Sequence, residues 1–185
     1  GLIVTYLKSS RDIRYDSMGE ELLIDEQGRN ALTCSHDGRT RRCYAVDSLR
    51  RLPAPAREAC DAADVICIDE AQFMDGVIEF CEQYTKGVHG KRILFSALDG
   101  DFNKNPWPLV TALLPLCEKY RKLHAVCVEC GARASFTRKI AGSTQYQIDV
   151  GGLDKYIPTC RKHHSLLPIS QERIEKMKEY NARFR

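Results

Sequence analysis

Three apolar runs rich in β-branched residues, "GLIVTYL", "DVICIDE" and "KRILFSALDG", are separated by stretches of helical character. That alternation constrains the fold more than any other feature of the chain. A run that is apolar throughout belongs to a strand covered on both faces. Strands that alternate with helices form βαβ units, whose neighbouring strands lie parallel. The expectation is therefore an α/β domain with a mostly parallel sheet and helices on both faces. "GVIEFCEQYTKGV" places Val77, Phe80, Cys81 and Tyr84 at helical spacing, with Gly87 as a stop. "REACDAAD" has helical composition after "LPAPA", and "PLVTALLPLCEKY" predicts an apolar-faced helix interrupted at Pro115. "KLHAVC" reads as a fourth strand. From Ser9 to Arg42 the chain is polar and contains glycine, and "GEELLIDEQGRN" predicts a loop or small hairpin. Beyond Cys127 the texture changes to short strand-like pieces, "SFTRKI" and "YQIDV", which predict a small antiparallel appendage. "SQERIEKMKEYNARFR" predicts a charged closing helix with Ser170 as its cap.

Two local patterns carry chemistry. In "IDEAQF", Asp69 and Glu70 stand side by side where the second apolar run stops. Ligands of open parallel sheets gather beyond the carboxyl ends of the strands. A carboxylate there suits hydrated Mg²⁺, which prefers oxygen, and a second can serve as base toward an attacking hydroxyl. The bland alternative is that the two acids cap the following loop. The second pattern is "CVEC" with Cys127 and Cys130, followed by "CRKHH" with Cys160, His163 and His164. Each knuckle keeps two residues between its ligands, so both can face one tetrahedral Zn²⁺. Cys127, Cys130, Cys160 and His163 are the expected set, with His164 as the alternative to His163. Four protein ligands fill the coordination sphere, so the site is expected to be structural. The chain has nine cysteines, an odd number, and Cys67, Cys81 and Cys117 sit singly in apolar or helical surroundings. They read as small core residues of a reduced, cytoplasmic protein. A net charge of +3 is far below that of a dedicated nucleic-acid binder, and no run approaches the length of a membrane span.

"IDEAQF", "ALDGDFNKNPW", "CVEC", "GGLDKY" and "CRKH", in that order, resemble the cytosolic, zinc-containing thymidine kinases, as do "YLKSSRDIRY" and "CSHDGR". The resemblance runs over nearly the whole chain. It implies a P-loop-type α/β core over residues 1–123, an antiparallel zinc-binding lasso domain over 124–168 and a C-terminal helix over 169–185. It also implies transfer of the ATP γ-phosphate to the 5′-hydroxyl of thymidine or deoxyuridine, a homotetramer, and feedback inhibition by dTTP. Carried over position by position, Glu70 is the catalytic base and Asp69 holds the magnesium, with Asp37 and Arg39 near the phosphates. Phe73 stacks on the base. Leu98, Phe102 and Trp107 wall the nucleoside pocket, with Trp107 standing where the family has Phe. Thr137 lies near the base, and Gly151 and Tyr156 close the lasso. Without the resemblance, Phe73, Leu98 and Phe102 would read as core, Thr137 and Tyr156 as ordinary strand residues, and Arg39 as a surface charge.

This sequence departs from the family pattern twice. The family's opening strand and glycine-rich phosphate loop, whose backbone amides and Lys hold the β- and γ-phosphates, have no counterpart in it. The expectation is a longer chain that supplies them, the alternative a catalytically inactive nucleoside-binding or subunit-interaction domain. The stretch over 19–32 is also longer than the family's loop, and reads either as a surface elaboration or as a lid. A zinc ribbon that binds nucleic acid would leave the α/β pattern and the paired acids unexplained.

Overall fold

The computed structural model describes residues 1–12, 26, 28–34, 39–87, 90–140, 155–165, 172, 175 and 179. It divides into two compact units, Gly1–Leu98 with Pro108–Pro115, and Asp99–Trp107 with Leu116–Arg185. The second unit thus takes in the "DGDFNKNPW" loop and the residues just before 123.

In the first unit, β1 (Val4–Ser9), β2 (Ala31–Cys34), β3 (Thr40–Val46), α1 (Ala54–Ala62), β4 (Val65–Asp69), α2 (Val77–Thr85), β5 (Arg92–Phe95) and α3 (Pro108–Leu113) follow one another. The sheet order is β2-β3-β1-β4-β5. Pairings β3–β1, β1–β4 and β4–β5 are parallel, and only β2 runs antiparallel, against β3. The mostly parallel sheet expected from the alternation of strands and helices is therefore present. Its middle strand is β1, and in the neighbouring β4 Ile66 and Ile68, two residues apart and so on one face, are both buried. Leu7, Tyr44, Val46, Ala56, Cys60, Met74, Val77 and Phe80 pack into the same core. Tyr84 closes it with an aromatic contact to Phe80, ring centroids 4.5 Å apart, and its hydroxyl donates to Asp61 Oδ1 at 2.8 Å.

Helix boundaries follow local chemistry. Pro55 stands in the first turn of α1, where a missing N–H costs nothing. Gly76, with φ +79°, starts α2, and Gly87, with φ +82°, follows its end. α3 stops at Leu113, and Leu114–Leu116 form one 3₁₀ turn around Pro115, where the sequence predicted the interruption.

The second unit holds β6 (Ala125–Val126), β7 (Arg133–Ala134), β8 (Phe136–Lys139), β9 (Tyr156–Thr159) and α4 (Arg161–His164). β6 pairs with β7 and β8 with β9, both antiparallel, so the appendage is present and "SFTRKI" is one of its strands. "KLHAVC" corrects one expectation: it adds no strand to the parallel sheet. Only Ala125 and Val126 are extended, because at Cys127 the chain turns back: its N–H donates to Ala132 O at 2.7 Å and its carbonyl accepts from Gly131 N–H at 2.9 Å. The first and third apolar runs are also less covered than expected, with Leu2, Ile3, Val4 and Leu94 exposed. β5 is an edge strand among the described residues, so one flank and part of its faces meet solvent. "YQIDV", most of "GEELLIDEQGRN" and nearly all of the closing helix lie outside the described residues, although Glu172, Glu175 and Glu179 are helical.

Candidate active site and metal centre

Parallel strands bring their carboxyl ends to one edge of the sheet, and the register fixes which residues meet there. Asp69 ends β4 opposite Lys8 of β1, and Ile68 lies opposite Phe95 of β5, so Ser96 is the next neighbour of Asp69. The Ser96 hydroxyl and the Glu70 backbone N–H both donate to Asp69 Oδ1, the latter at 3.0 Å, while the Thr33 hydroxyl donates to Oδ2 at 2.9 Å. Three donors on two oxygens fix the carboxylate's orientation. Lys8, only 1% exposed, sends its Nζ to the Asp12 carbonyl at 2.8 Å.

Glu70 occupies the left-handed region, φ 55° and ψ 43°. For a residue with a Cβ that conformation costs roughly 1–2 kcal/mol. It turns the chain sharply from β4 into the 3₁₀ turn Ala71–Phe73 and leaves the Glu70 side chain half-buried at the strand's end. Gln72, itself buried, donates through Nε2 to Glu70 Oε2 at 2.5 Å and accepts the Leu98 N–H on Oε1 at 3.1 Å. One amide thus braces both the acid and the backbone of the loop after β5. Phe73 is half-buried in the same turn, and Leu98 is 45% exposed. The structure brings Asp69, Glu70, Phe73 and Leu98 to one end of the sheet. Arg39 is exposed just before β3, and Asp37 lies outside the described residues.

In the second unit the two knuckles converge. Cys127 Sγ lies 3.6 Å and Cys160 Sγ 3.3 Å from His163 Nδ1, and Cys130 Sγ lies 3.9 Å from Cys160 Sγ. All four ligand atoms fall within 4.8 Å of one another. Bond lengths of about 2.3 Å to sulfur and 2.0 Å to nitrogen give tetrahedron edges of about 3.5–3.8 Å, so the donor set fits zinc. The separations are too long for disulfides, and Cys127, Cys130 and Cys160 are free thiols. Burial pushes the Cys127 thiol up, but hydrogen bonds from the Cys160, Glu129 and Cys130 backbone and from the His163 side chain outweigh it and bring it down to about 6. At Cys130 a backbone hydrogen bond from Ala132 lowers the thiol, yet slight desolvation and the Cys127 and Cys160 sulfurs raise it by more. Crowded sulfurs that favour one thiolate and penalise a second make a setting that a dication relieves. His163, and not His164, completes the cluster.

Around it, Phe102 and Tyr156 lie with ring centroids 6.1 Å apart, and Lys139 Nζ sits 4.8 Å from the Phe102 centroid and 5.6 Å from that of Tyr156. Phe102 and Trp107 are buried, Thr137 and Tyr156 half-buried, and Gly151 lies outside the described residues. Thr33, Gln72, Ser96 and Lys139 were not singled out from sequence. Ser96 could have been found from strand register, and Gln72 from its place two residues after Glu70 in a turn. The reach of Thr33 and the Lys139 contact with two rings depend on folding that no local pattern announces.

The thymidine kinase family profile matches residues 7–164. A thymidine kinase of Oryza sativa subsp. japonica is 35% identical over 162 residues, covering 87% of this chain and 54% of the relative. The cytosolic thymidine kinase of Homo sapiens is 35% identical over 155 residues, 84% of this chain and 57% of the relative. Thymidine kinase a of Arabidopsis thaliana is 35% identical over 180 residues, 95% and 69% respectively. The chain thus spans little more than half the length of the rice and human relatives.

Proposed function

The chain belongs to the thymidine kinase family, and from that premise we propose that the protein transfers the γ-phosphate of ATP to the 5′-hydroxyl of thymidine or deoxyuridine. The observation that carries this reading is the acid pair closing β4, one carboxylate fixed by three donors and the next held in a left-handed turn. In this reading Glu70 accepts the hydroxyl proton as the 5′-oxygen attacks the γ-phosphorus. The bond from that phosphorus to the bridging oxygen breaks, and ADP leaves. Asp69 is the proposed holder of the magnesium that accompanies ATP, with Asp37 and Arg39 near the phosphates. Phe73 is proposed to stack on the base, Leu98, Phe102 and Trp107 to wall the pocket, Thr137 to lie near the base, and Gly151 and Tyr156 to close over it. Cys127, Cys130, Cys160 and His163 are the proposed zinc ligands, and zinc when bound supplies a structural crosslink and no open coordination position. A homotetramer, dTTP as inhibitor and a cytoplasmic setting complete the proposal. No helix among the described residues is long and apolar enough to cross a membrane.

The test is Glu70→Gln in the full-length protein. Loss of a general base is expected to lower turnover of thymidine about 10²–10⁴-fold, while thymidine or dTTP still binds. Unchanged turnover would remove Glu70 from the role. Nucleoside binding by the unmodified full-length protein with no phosphorylation at all would instead favour a non-catalytic binding domain.

A further inference from the structure

The two adjacent histidines of α4 face different partners. His163 turns its Nδ1 to the Cys127 and Cys160 sulfurs. His164, one residue on, places Nε2 3.0 Å from the carbonyl oxygen of Phe102. A carbonyl only accepts, so Nε2–H is the donor. Consecutive helical residues project about 100° apart, so one turn of helix can serve two partners. The His164 ring is held edge-on by Phe136, centroids 5.7 Å apart, and its backbone N–H donates to Cys160 O at 2.9 Å. The acceptor belongs to a loop that is already organised. Asp101, buried, accepts from the Asn103 and Asn105 N–H groups at 2.8 Å each and from Asn105 Nδ2 at 3.1 Å, and its own N–H donates to Asn105 O at 2.9 Å. A loop closed on itself needs only one or two outside contacts to fix its position, and the Phe102 carbonyl is where α4 supplies one.

We propose that His164 is a positioning residue that couples the metal cluster to the Asp99–Trp107 loop: metal bound through His163 orients α4, and α4 through His164 sets the backbone of Phe102. Its bearing on nucleoside affinity rests on the functional reading above, in which Phe102 and Trp107 line the pocket.

The experiment compares His164→Ala, His164→Gln and His163→Ala in the full-length protein by metal analysis, by hydrogen exchange of peptides covering 99–107, and by thymidine kinetics. His164→Ala is expected to retain its zinc while exchange across Asn103–Trp107 accelerates about fivefold, the scale of one lost hydrogen bond. The thymidine KM should rise by a similar factor with kcat nearly unchanged. His164→Gln, which returns an N–H donor at similar reach, should restore both. His163→Ala should lose the metal and speed exchange of the same loop. Zinc lost from His164→Ala would overturn the division of labour, because it would make His164 a ligand. Zinc retained with loop exchange unchanged would overturn the coupling. If the exchange pattern holds while no form of the protein phosphorylates thymidine, the coupling stands and the functional reading falls.

Discussion

Glu70 is asked to do two incompatible things, and its backbone shows which one yields. A side chain with a Cβ disfavours φ 55°, yet the left-handed turn is what carries the chain out of β4 and leaves the carboxylate at the strand's end. Glycine would meet the backbone requirement without strain, so Glu70→Gly separates the two demands. It gives up the carboxylate and its bond from Gln72, and relieves the φ cost. The expected outcome is a protein at least as stable as the parent, by up to about 1 kcal/mol in urea denaturation, with turnover lost as in the Gln variant. Destabilisation by more than about 1 kcal/mol would show that the Gln72 bond contributes more than the turn costs. Strain held at the proposed base and released only at the expense of activity would be the usual trade between stability and function.

At the scale of elements, what could be read from sequence was what local pattern determines. α2 was legible because Val77, Phe80, Cys81 and Tyr84 share one face, and all four are buried. β4 was legible because an unbroken apolar run of that length fits few other places. "KLHAVC" misled because composition does not reveal where a chain must turn, and the knuckle at Cys127 ends the strand after two residues. The acid pair and the metal ligands were readable as spacing, whereas Thr33 and Lys139 owe their contacts to folding between distant segments. The α1–α2 contact also yields a prediction. Cys60 on α1 is fully buried, and burial, with Asp61 adding to it against Lys91, pushes its thiol from 9.0 up to about 12. The Tyr84 hydroxyl is likewise raised, by burial and by Asp61. Both groups bind their protons more tightly folded than unfolded, so the stabilisation is complete below the unfolded value near 9 and declines as pH rises toward 12. Chemical denaturation at pH 8.5 and 10.5 should therefore show stability falling, and Cys60→Ala should make that fall shallower. An unchanged slope in the variant would mean that the Cys60 thiol does not contribute.

At the scale of the whole molecule, the two units differ in what holds them. The hydrophobic cluster that includes Leu7, Ile66, Ile68 and Val77 lies entirely within the first unit, around the sheet. In the second, the buried apolar side chains described are Phe102 and Trp107 in the 99–107 loop, Cys127 in a turn, and Ala134 and Ile157 in two-stranded sheets too short to be stable alone. Where the core among the described residues is this small, a further crosslink adds much, and a Cys₃His zinc site supplies about 10–16 kcal/mol of binding free energy that is also folding free energy. Removing the metal should therefore act unevenly. After chelation, amides of β8, β9 and α4 should lose their protection from hydrogen exchange, while those of β1 and β4 keep most of theirs. Nucleoside KM should rise before the sheet begins to melt. The comparison is internal to one sample: equal loss of protection in both units would mean that the metal holds the entire fold together. No loss in either would mean that the second unit has enough packing of its own.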